Sequence, residues 1–190
     1  ADVLIASRKE ENLSKAASEI KDQTGKTLHW KTMDVRNNET VEEVAKHIKD
    51  TWGYLDVLVN NAAGNFVTPA AAMSENAWRA VIDIVLDGTF RVSKACYPLL
   101  RNNKEGSSIV NIIANYAWGA APFVAHSGAA KAGVLNLTRS LALEWSNDKI
   151  RVNAMCPGVV LTDNVKKNLM LDENVVKTFE SNIPAGGITD

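Results

Sequence analysis

The sequence has little that would place it in a specialised class of protein. Only 2 of its 190 residues are cysteines, with neither Cys-x-x-Cys nor His-x-x-x-His spacing, so no disulfide framework and no metal site is predicted. Lys and Arg total 21 against 22 Asp and Glu, a formal charge of −1, which argues against a nucleic-acid partner. No run approaches the roughly 18 apolar residues that a membrane span needs, so none is predicted.

The composition is that of an ordinary globular protein, and predicted strands alternate with predicted helices along the chain. Hydrophobic residues make up 46% and charged residues 23%, as in folded domains, and the length predicts a single domain over residues 1–190. The predicted strands are 3–6, 28–35, 57–59, 109–113 and 151–155. Because they read as continuous apolar runs, they predict burial on both faces, and so an α/β fold with a doubly wound, Rossmann-like parallel sheet.

Amphipathic stretches between the strands predict the helices. Ser7 and Glu10 have the spacing of a capping box, which predicts the start of the first helix. A second helix ends at Gly53, and a third runs from 77 to 100 with a break near Gly88. The last long helix covers about 127–145.

Polar or turn-forming residues follow every predicted strand. Ligands of such sheets bind beyond the carboxyl ends of the strands. The segments at these positions are 7–8, 34–36, 60–66, 114–116 and 157–158. Each is by itself an ordinary turn, but five in register predict one site along this edge.

Three of these features together resemble the short-chain dehydrogenase/reductase family. They are Asn60-Asn61-Ala62-Ala63-Gly64, Lys131 in a long helix, and Pro157-Gly158. The resemblance covers essentially the whole chain, but the family's first strand, its Gly-x-x-x-Gly-x-Gly turn and its last strand are not found. The chain is therefore expected to be one dinucleotide-binding domain truncated at both ends, which by itself would hold a dinucleotide poorly.

The family's usual catalytic positions are largely changed. Lys131 is present, but Ser127 stands where the family has Tyr, Ala114 where it has Ser, and Val85 where it has a helix Asn. Ketone reduction needs an acid at the carbonyl oxygen, and a serine hydroxyl is a far weaker acid than a phenol. An ordinary ketone or alcohol dehydrogenase is therefore disfavoured.

Within the family, the chain most resembles the 2,4-dienoyl-CoA reductases. The resemblance lies in Asn60 to Phe66, in Asn76-Ala77-Trp78 and in Asp83-Ile84-Val85-Leu86. It implies NADPH-dependent reduction of a conjugated double bond, auxiliary to fatty-acid β-oxidation. It also implies that Tyr116 and Asn65 hold the thioester oxygen, while Lys131 and Ser127 position the nicotinamide ribose.

The same resemblance implies which residues bind NADP(H) and acyl-CoA. Arg8 would meet the 2′-phosphate, for which a guanidinium is suited, and Asp34 would lie beside the adenine. The remaining cofactor residues would be Asn61, Pro157, Gly158 and Val160, and the substrate residues Arg36, Phe66 and Ser74.

Several alternatives stay open. The segment from His126 to Val134 looks more like the trans-2-enoyl-CoA reductases, and the changed catalytic positions also fit a non-catalytic NADP-binding module.

Small residues on the last long helix predict a homo-oligomer, which would be a tetramer by resemblance. The resemblance also implies the mitochondrion or, alternatively, the peroxisome. His126 is interpreted as a capping or packing residue, and Cys156 as a small buried hydrophobic residue with no nearby base or basic cluster to lower its thiol pKa.

Overall fold

In a computed structural model of the chain, residues 1–158, 160 and 181 are described. Strands and helices alternate along this part, as the sequence predicts. The strands are β1 (Leu4–Ser7), β2 (His29–Thr32), β3 (Val57–Asn60), β4 (Ser107–Ile112) and β5 (Ile150–Met155). The α-helices are α1 (Glu10–Thr24), α2 (Asn38–Trp52), α3 (Glu75–Ile82), α4 (Gly88–Arg101) and α5 (Ala125–Glu144), with a π-helical turn at Asp83–Asp87 joining α3 to α4.

Every strand pair is parallel, which confirms the predicted α/β class. β1 pairs with β2, and β3, β4 and β5 form a second ladder in that order. The strands therefore form two sheets in the described part of the chain, where the sequence predicted one. β1 and β3 share no ladder. Val57 and Val59, which share one face of β3, are exposed at 52% and 55%, so the expected burial of this strand on both faces is wrong.

Three apolar clusters hold the helices on the sheets, and the smallest packs Val44 and Ile48 of α2 against Leu99 of α4. The largest joins Ile109 of β4 and Ile150 of β5 to Leu100 of α4 and Leu141 of α5. The second lies where the π-helical turn meets α5, and its buried members are Val81, Val85, Ile113, Ala117, Ala130 and Val134. Because Ile113 and Ala117 follow β4 directly, this second cluster anchors the loop at the carboxyl end of that strand.

The structure corrects two local expectations. The capping box of Ser7 and Glu10 is wrong, because Ser7 ends β1, where its carbonyl accepts the Met33 N–H, and the N-cap of α1 is Lys9. The helix break expected near Gly88 is the π-helical turn at Asp83–Asp87, immediately before that glycine.

Gly88 is the point where the helix passes closest to the loop after β2. A Cβ at this position would lie 2.7 Å from Cγ2 of Val35, which belongs to the packed core. We expect Gly88→Ala to destabilise the fold by about 1–3 kcal/mol, measured as the free energy of unfolding in urea. Gly128→Ala on α5 is the control, because its Cβ would have no neighbour nearer than 3.9 Å and a helical Gly→Ala change is favourable by about 0.5–1 kcal/mol. Equal losses in the two variants would contradict this account.

Candidate functional site

A buried chain of hydrogen bonds fixes the carboxyl ends of β3 and β4. Asn60 Nδ2 donates to Ser93 Oγ at 2.9 Å and to Asn111 Oδ1 at 2.8 Å, and Asn111 Nδ2 donates to Thr138 Oγ1 at 2.9 Å. All four side chains are buried, and these bonds pair the polar groups that burial would otherwise leave unsatisfied. The loops that follow β3 and β4 therefore leave from fixed points.

Tyr116, Ser127 and Lys131 are brought together at this edge. Tyr116 lies in the 3₁₀ turn Asn115–Ala117 after β4, and its Oη is 3.2 Å from Ser127 Oγ. Ser127 lies in the first turn of α5, and Lys131, four residues later, shares its face of the helix. Sequence reasoning grouped these three residues with Asn65. Two hydroxyls and an ammonium do lie along one edge, while no hydrogen bond within residues 1–158 joins Asn65 to them.

Lys131 is buried, and a main-chain carbonyl holds its ammonium. Nζ donates to the carbonyl of Ile112 at 2.5 Å, and burial lowers the Lys131 pKa to about 8. Val85, at the position of the family's helix Asn, is buried in the second apolar cluster instead. Cys156, which follows β5, is only half-buried, so the interpretation of this cysteine as a buried residue is wrong.

Asn65 and Phe66 lie in the loop that follows β3. Asn65 Oδ1 accepts the N–H of Phe66 at 2.9 Å, while its Nδ2 has no hydrogen-bond partner within residues 1–158. The Phe66 ring meets His126 edge-on, with centroids 4.5 Å apart and planes at 89°. This contact joins the Asn65 loop to the start of α5.

His126 is fully buried and helps to cap α5. Its Nδ1 accepts the N–H of Ser127 at 2.8 Å, and burial lowers its pKa. Nε2 has no partner among the described residues. The interpretation of His126 as a capping and packing residue is confirmed.

Arg8, Asp34 and Arg36 form a charged group after β1 and β2. Arg36 binds the Asp34 carboxylate through two nitrogens, with Nε 3.0 Å from Oδ1 and Nη2 2.6 Å from Oδ2. These bonds, with charge from Arg36 and Arg8, hold the Asp34 pKa at about 2. The two residues that sequence reasoning assigned to adenine and to CoA therefore bind each other.

Ser74 lines a surface recess beside α3. It is the N-cap of α3, and its Oγ accepts the Ala77 N–H at 3.2 Å. The recess has a volume of about 730 Å³, and its lining includes Ser74, Trp78, Arg79, Asp83, Asp87 and Ala125. A volume of this size is in the range of small-molecule sites.

The other predicted cofactor residues are not among the residues whose contacts are described above. Asn61 directly follows β3, and Pro157 and Gly158 follow β5. Both positions are at the expected edge of the sheet. All three residues are exposed, as is Val160 at 39%.

Sequence reasoning missed a main-chain link between the loops after β3 and β4. The Thr68 N–H donates to the carbonyl of Phe123 at 2.9 Å, and Phe123 has φ of 64°. Left-handed backbone is typical of Gly and Asn, so a phenylalanine gives no sequence signal for it.

Comparison with known proteins matches this fold. The family model of the short chain dehydrogenases matches residues 1–171. The chain belongs to the short chain dehydrogenase family, which confirms the family predicted from sequence. Among the described residues, no helix is long and apolar enough to cross a bilayer, and no His, Cys, Asp and Glu cluster could hold a metal ion.

Similar proteins include several named as dienoyl-CoA reductases. The probable 2,4-dienoyl-CoA reductase [(2E)-enoyl-CoA-producing] of Bacillus subtilis is 40% identical over 185 residues, which cover 97% of this chain and 72% of the relative. The peroxisomal 2,4-dienoyl-CoA reductase [(3E)-enoyl-CoA-producing] of Danio rerio is 40% identical over 159 residues, covering 84% of this chain and 53% of the relative. The chain thus spans about half the length of the second relative.

Two solved structures illustrate the shared fold. A short chain dehydrogenase from Bacillus anthracis has 40% identity and a TM-score of 0.81, with 100% of this chain and 73% of that chain covered. A gluconate 5-dehydrogenase from Burkholderia cenocepacia, solved with NADP and tartrate, has 27% identity and a TM-score of 0.87, with 98% and 72% covered.

Proposed function

We propose that this chain is the catalytic part of an NADPH-dependent reductase of 2,4-dienoyl-CoA, auxiliary to fatty-acid β-oxidation. The observation that carries the proposal is the Tyr116 hydroxyl, 3.2 Å from Ser127 and on the same edge as Lys131. A phenol is thus present at the site, supplied by the loop after β4 instead of by the helix that carries the lysine. The names of the similar proteins support this substrate.

The displaced phenol suits reduction of a carbon–carbon double bond. Hydride adds to a carbon remote from the thioester, and negative charge develops on the thioester oxygen several bonds away. Donors aimed at that oxygen lower the barrier. Tyr116 Oη and the Nδ2 group of Asn65, which has no hydrogen-bond partner within residues 1–158, would supply them. Ser127 can donate to Tyr116 so that the phenol proton faces the substrate.

The residues present fit NADPH at two points. Arg8 is exposed close to Asp34, where its guanidinium suits a 2′-phosphate. Lys131 uses only one hydrogen-bond partner within residues 1–158, which leaves protons for ribose hydroxyls. When bound, NADPH supplies the hydride, and a proton from water completes the product. The bound NADP of the gluconate 5-dehydrogenase supports the choice of cofactor.

The acyl-CoA would lie along Arg36 and the recess at Ser74. Asp34 engages Nε and Nη2 of Arg36, so Nη1 is left to meet a CoA phosphate. Phe66 would contact the acyl group with the part of its ring that His126 leaves free. Asn61, Pro157, Gly158 and Val160 remain the proposed cofactor contacts beyond these.

The assembly and compartment are proposals as well. We propose a homo-oligomer, tetrameric by family resemblance. One small residue of α5 is already used within the chain, because a Cβ at Gly133 would lie 2.9 Å from Leu86 Cδ2. The peroxisomal relatives support the peroxisome alternative, while the mitochondrial location stays a prediction.

The experiment offers the full-length protein NADPH or NADH with 2,4-hexadienoyl-CoA, crotonyl-CoA or acetoacetyl-CoA, and follows nicotinamide oxidation. We expect the dienoyl substrate with NADPH to give the highest kcat/KM. A preference for crotonyl-CoA would support the enoyl-CoA reductase, which the segment from His126 to Val134 resembles. Turnover of acetoacetyl-CoA alone would overturn the proposal, and NADPH binding without any turnover would leave a non-catalytic module.

A further inference from the structure

A continuous series of contacts joins Asn65 to Tyr116 through the buried side chain of His126. Asn65 Oδ1 accepts the Phe66 N–H at 2.9 Å, and the Phe66 ring meets the His126 ring edge-on, with centroids 4.5 Å apart. His126 Nδ1 in turn accepts the Ser127 N–H at 2.8 Å, and Ser127 Oγ is 3.2 Å from Tyr116 Oη. His126 therefore contacts one immediate partner of each proposed oxyanion donor.

The start of α5 depends on the imidazole for a hydrogen-bond acceptor. The first N–H groups of a helix have no partner within the helix itself. The N-cap residue, Val124, makes no side-chain hydrogen bond to them, and His126 Nδ1 accepts the Ser127 N–H instead. The backbone that carries the Ser127 hydroxyl is thus fixed by the histidine.

The neutral imidazole combines two properties that this position uses. A nitrogen that accepts an N–H carries no proton, so the ring is neutral with its hydrogen on Nε2. Complete burial lowers the His126 pKa, which favours this neutral form at pH 7. An asparagine would offer the acceptor without the ring, and a phenylalanine would offer the ring without the acceptor.

We propose that His126 is a positioning residue that holds Tyr116 and Asn65 where both donors meet one oxygen. It acts on the phenol through the Ser127 hydroxyl and on the carboxamide through the Phe66 ring. The inference rests on the proposed function and assigns to that reaction a residue that touches neither substrate nor cofactor, because a fully buried ring has no surface to offer them.

Two substitutions separate the two links, since each keeps one half of the histidine. His126→Phe keeps an aromatic ring against Phe66 but leaves the Ser127 N–H without its acceptor. His126→Asn keeps an acceptor, as many bonds from Cα as Nδ1, but loses the ring. Misplacing a catalytic group by about 1 Å can lower the rate about 10²-fold, so a partial loss of positioning should lower kcat for 2,4-hexadienoyl-CoA about tenfold in each variant. The Kd for NADPH should change little, because the Ile112 carbonyl holds Lys131 separately.

Double-mutant cycles in the full-length protein distinguish positioning from a general loss of structure. With Tyr116→Phe there is no hydroxyl left for the first link to place, so adding His126→Phe should lower kcat no further, whereas adding His126→Asn should still cost about tenfold. With Asn65→Ala the two results should be exchanged. A merely structural role would give the same fractional loss of kcat in every background, because independent effects add.

His29→Phe is the matched control. His29 also meets an aromatic ring edge-on, that of Trp52 at 5.2 Å, but it lies at the amino end of β2, away from the site. This variant should keep the wild-type kcat. NADPH binding checks that each variant is folded, and each cycle stands alone, so loss of folding in one His126 variant leaves the other to decide.

The outcomes separate the two proposals. Wild-type kcat in both His126 variants, or the same fractional loss in all three backgrounds, would overturn the positioning role while hexadienoyl-CoA turnover by the wild type left the proposed function standing. An equal loss in His29→Phe would also overturn it. Absence of turnover with every dienoyl-CoA would overturn the proposed function and this inference together.

Discussion

Replacing Tyr116 by Phe is expected to lower kcat for dienoyl-CoA reduction about 10²–10³-fold, the usual effect of losing one donor to an oxyanion. The ring remains, so the packing of the turn around Ala117 is preserved. The Kd for NADPH should change little, because the phenol is proposed to face the thioester oxygen. Stopped-flow measurement of hydride transfer and titration of NADPH fluorescence give the two quantities separately.

Two further variants sharpen the interpretation of Tyr116→Phe. Asn65→Ala removes the second proposed donor and should give a loss of the same order. Ser127→Ala removes only the neighbour of the phenol at 3.2 Å and should cost less. If Tyr116→Phe kept the wild-type rate, the role of the phenol in binding the oxyanion would be wrong.

Lys131→Met should reduce both cofactor binding and rate without unfolding the protein. A hydrogen bond to a charged group contributes about 1.5–3 kcal/mol, so the Kd for NADPH should rise about 10–100-fold and kcat/KM should fall at least as much. Lys131 is buried with its pKa lowered to about 8, which means that burial disfavours its charge. The free energy of unfolding at pH 7 should therefore be unchanged or higher in the Met variant. A variant that bound NADPH with wild-type affinity would exclude the ribose-binding role.

The lowered pKa of Lys131 also predicts a dependence on pH. Between about pH 8 and the ordinary lysine value of 10.5, the unfolded chain holds a proton that the folded chain has released. The contribution of Lys131 to stability therefore rises with pH across this window, and Lys131→Met should abolish that rise. Activity should fall as pH passes about 8, because the ammonium is lost. If the free energy of unfolding depended on pH in the same way in wild type and in Lys131→Met, the lowered pKa of Lys131 would be wrong.

The sequence was informative where function depends on regular elements. The apolar runs predicted parallel strands and their order along the chain. The four-residue spacing of Ser127 and Lys131 predicted that they share one face of a helix. Tyr116 could be grouped with them because it follows a strand whose carboxyl end lies at the same edge. These inferences depend on the spacing of residues and on the alternation of strands with helices, both of which can be read from the sequence.

The remaining features depend on loop backbone and close packing, which the sequence does not display. Nothing in the sequence marks Phe123 for a left-handed conformation, in which its carbonyl accepts the Thr68 N–H. The pairing of Arg36 with Asp34 depends on the turn between them, which places two nitrogens against one carboxylate. The close approach of Gly88 to Val35 likewise follows from the path of the π-helical turn.

The most direct test of where the hydride goes uses NADPH deuterated at both C4 positions with 2,4-hexadienoyl-CoA, followed by NMR of the product. If Tyr116 and Asn65 hold the thioester oxygen of a dienoyl substrate, deuterium should be found on C5, at the far end of the conjugated system. Deuterium on C3 would instead indicate enoyl-type reduction. Hexadienoyl-CoA recovered without deuterium would contradict the account.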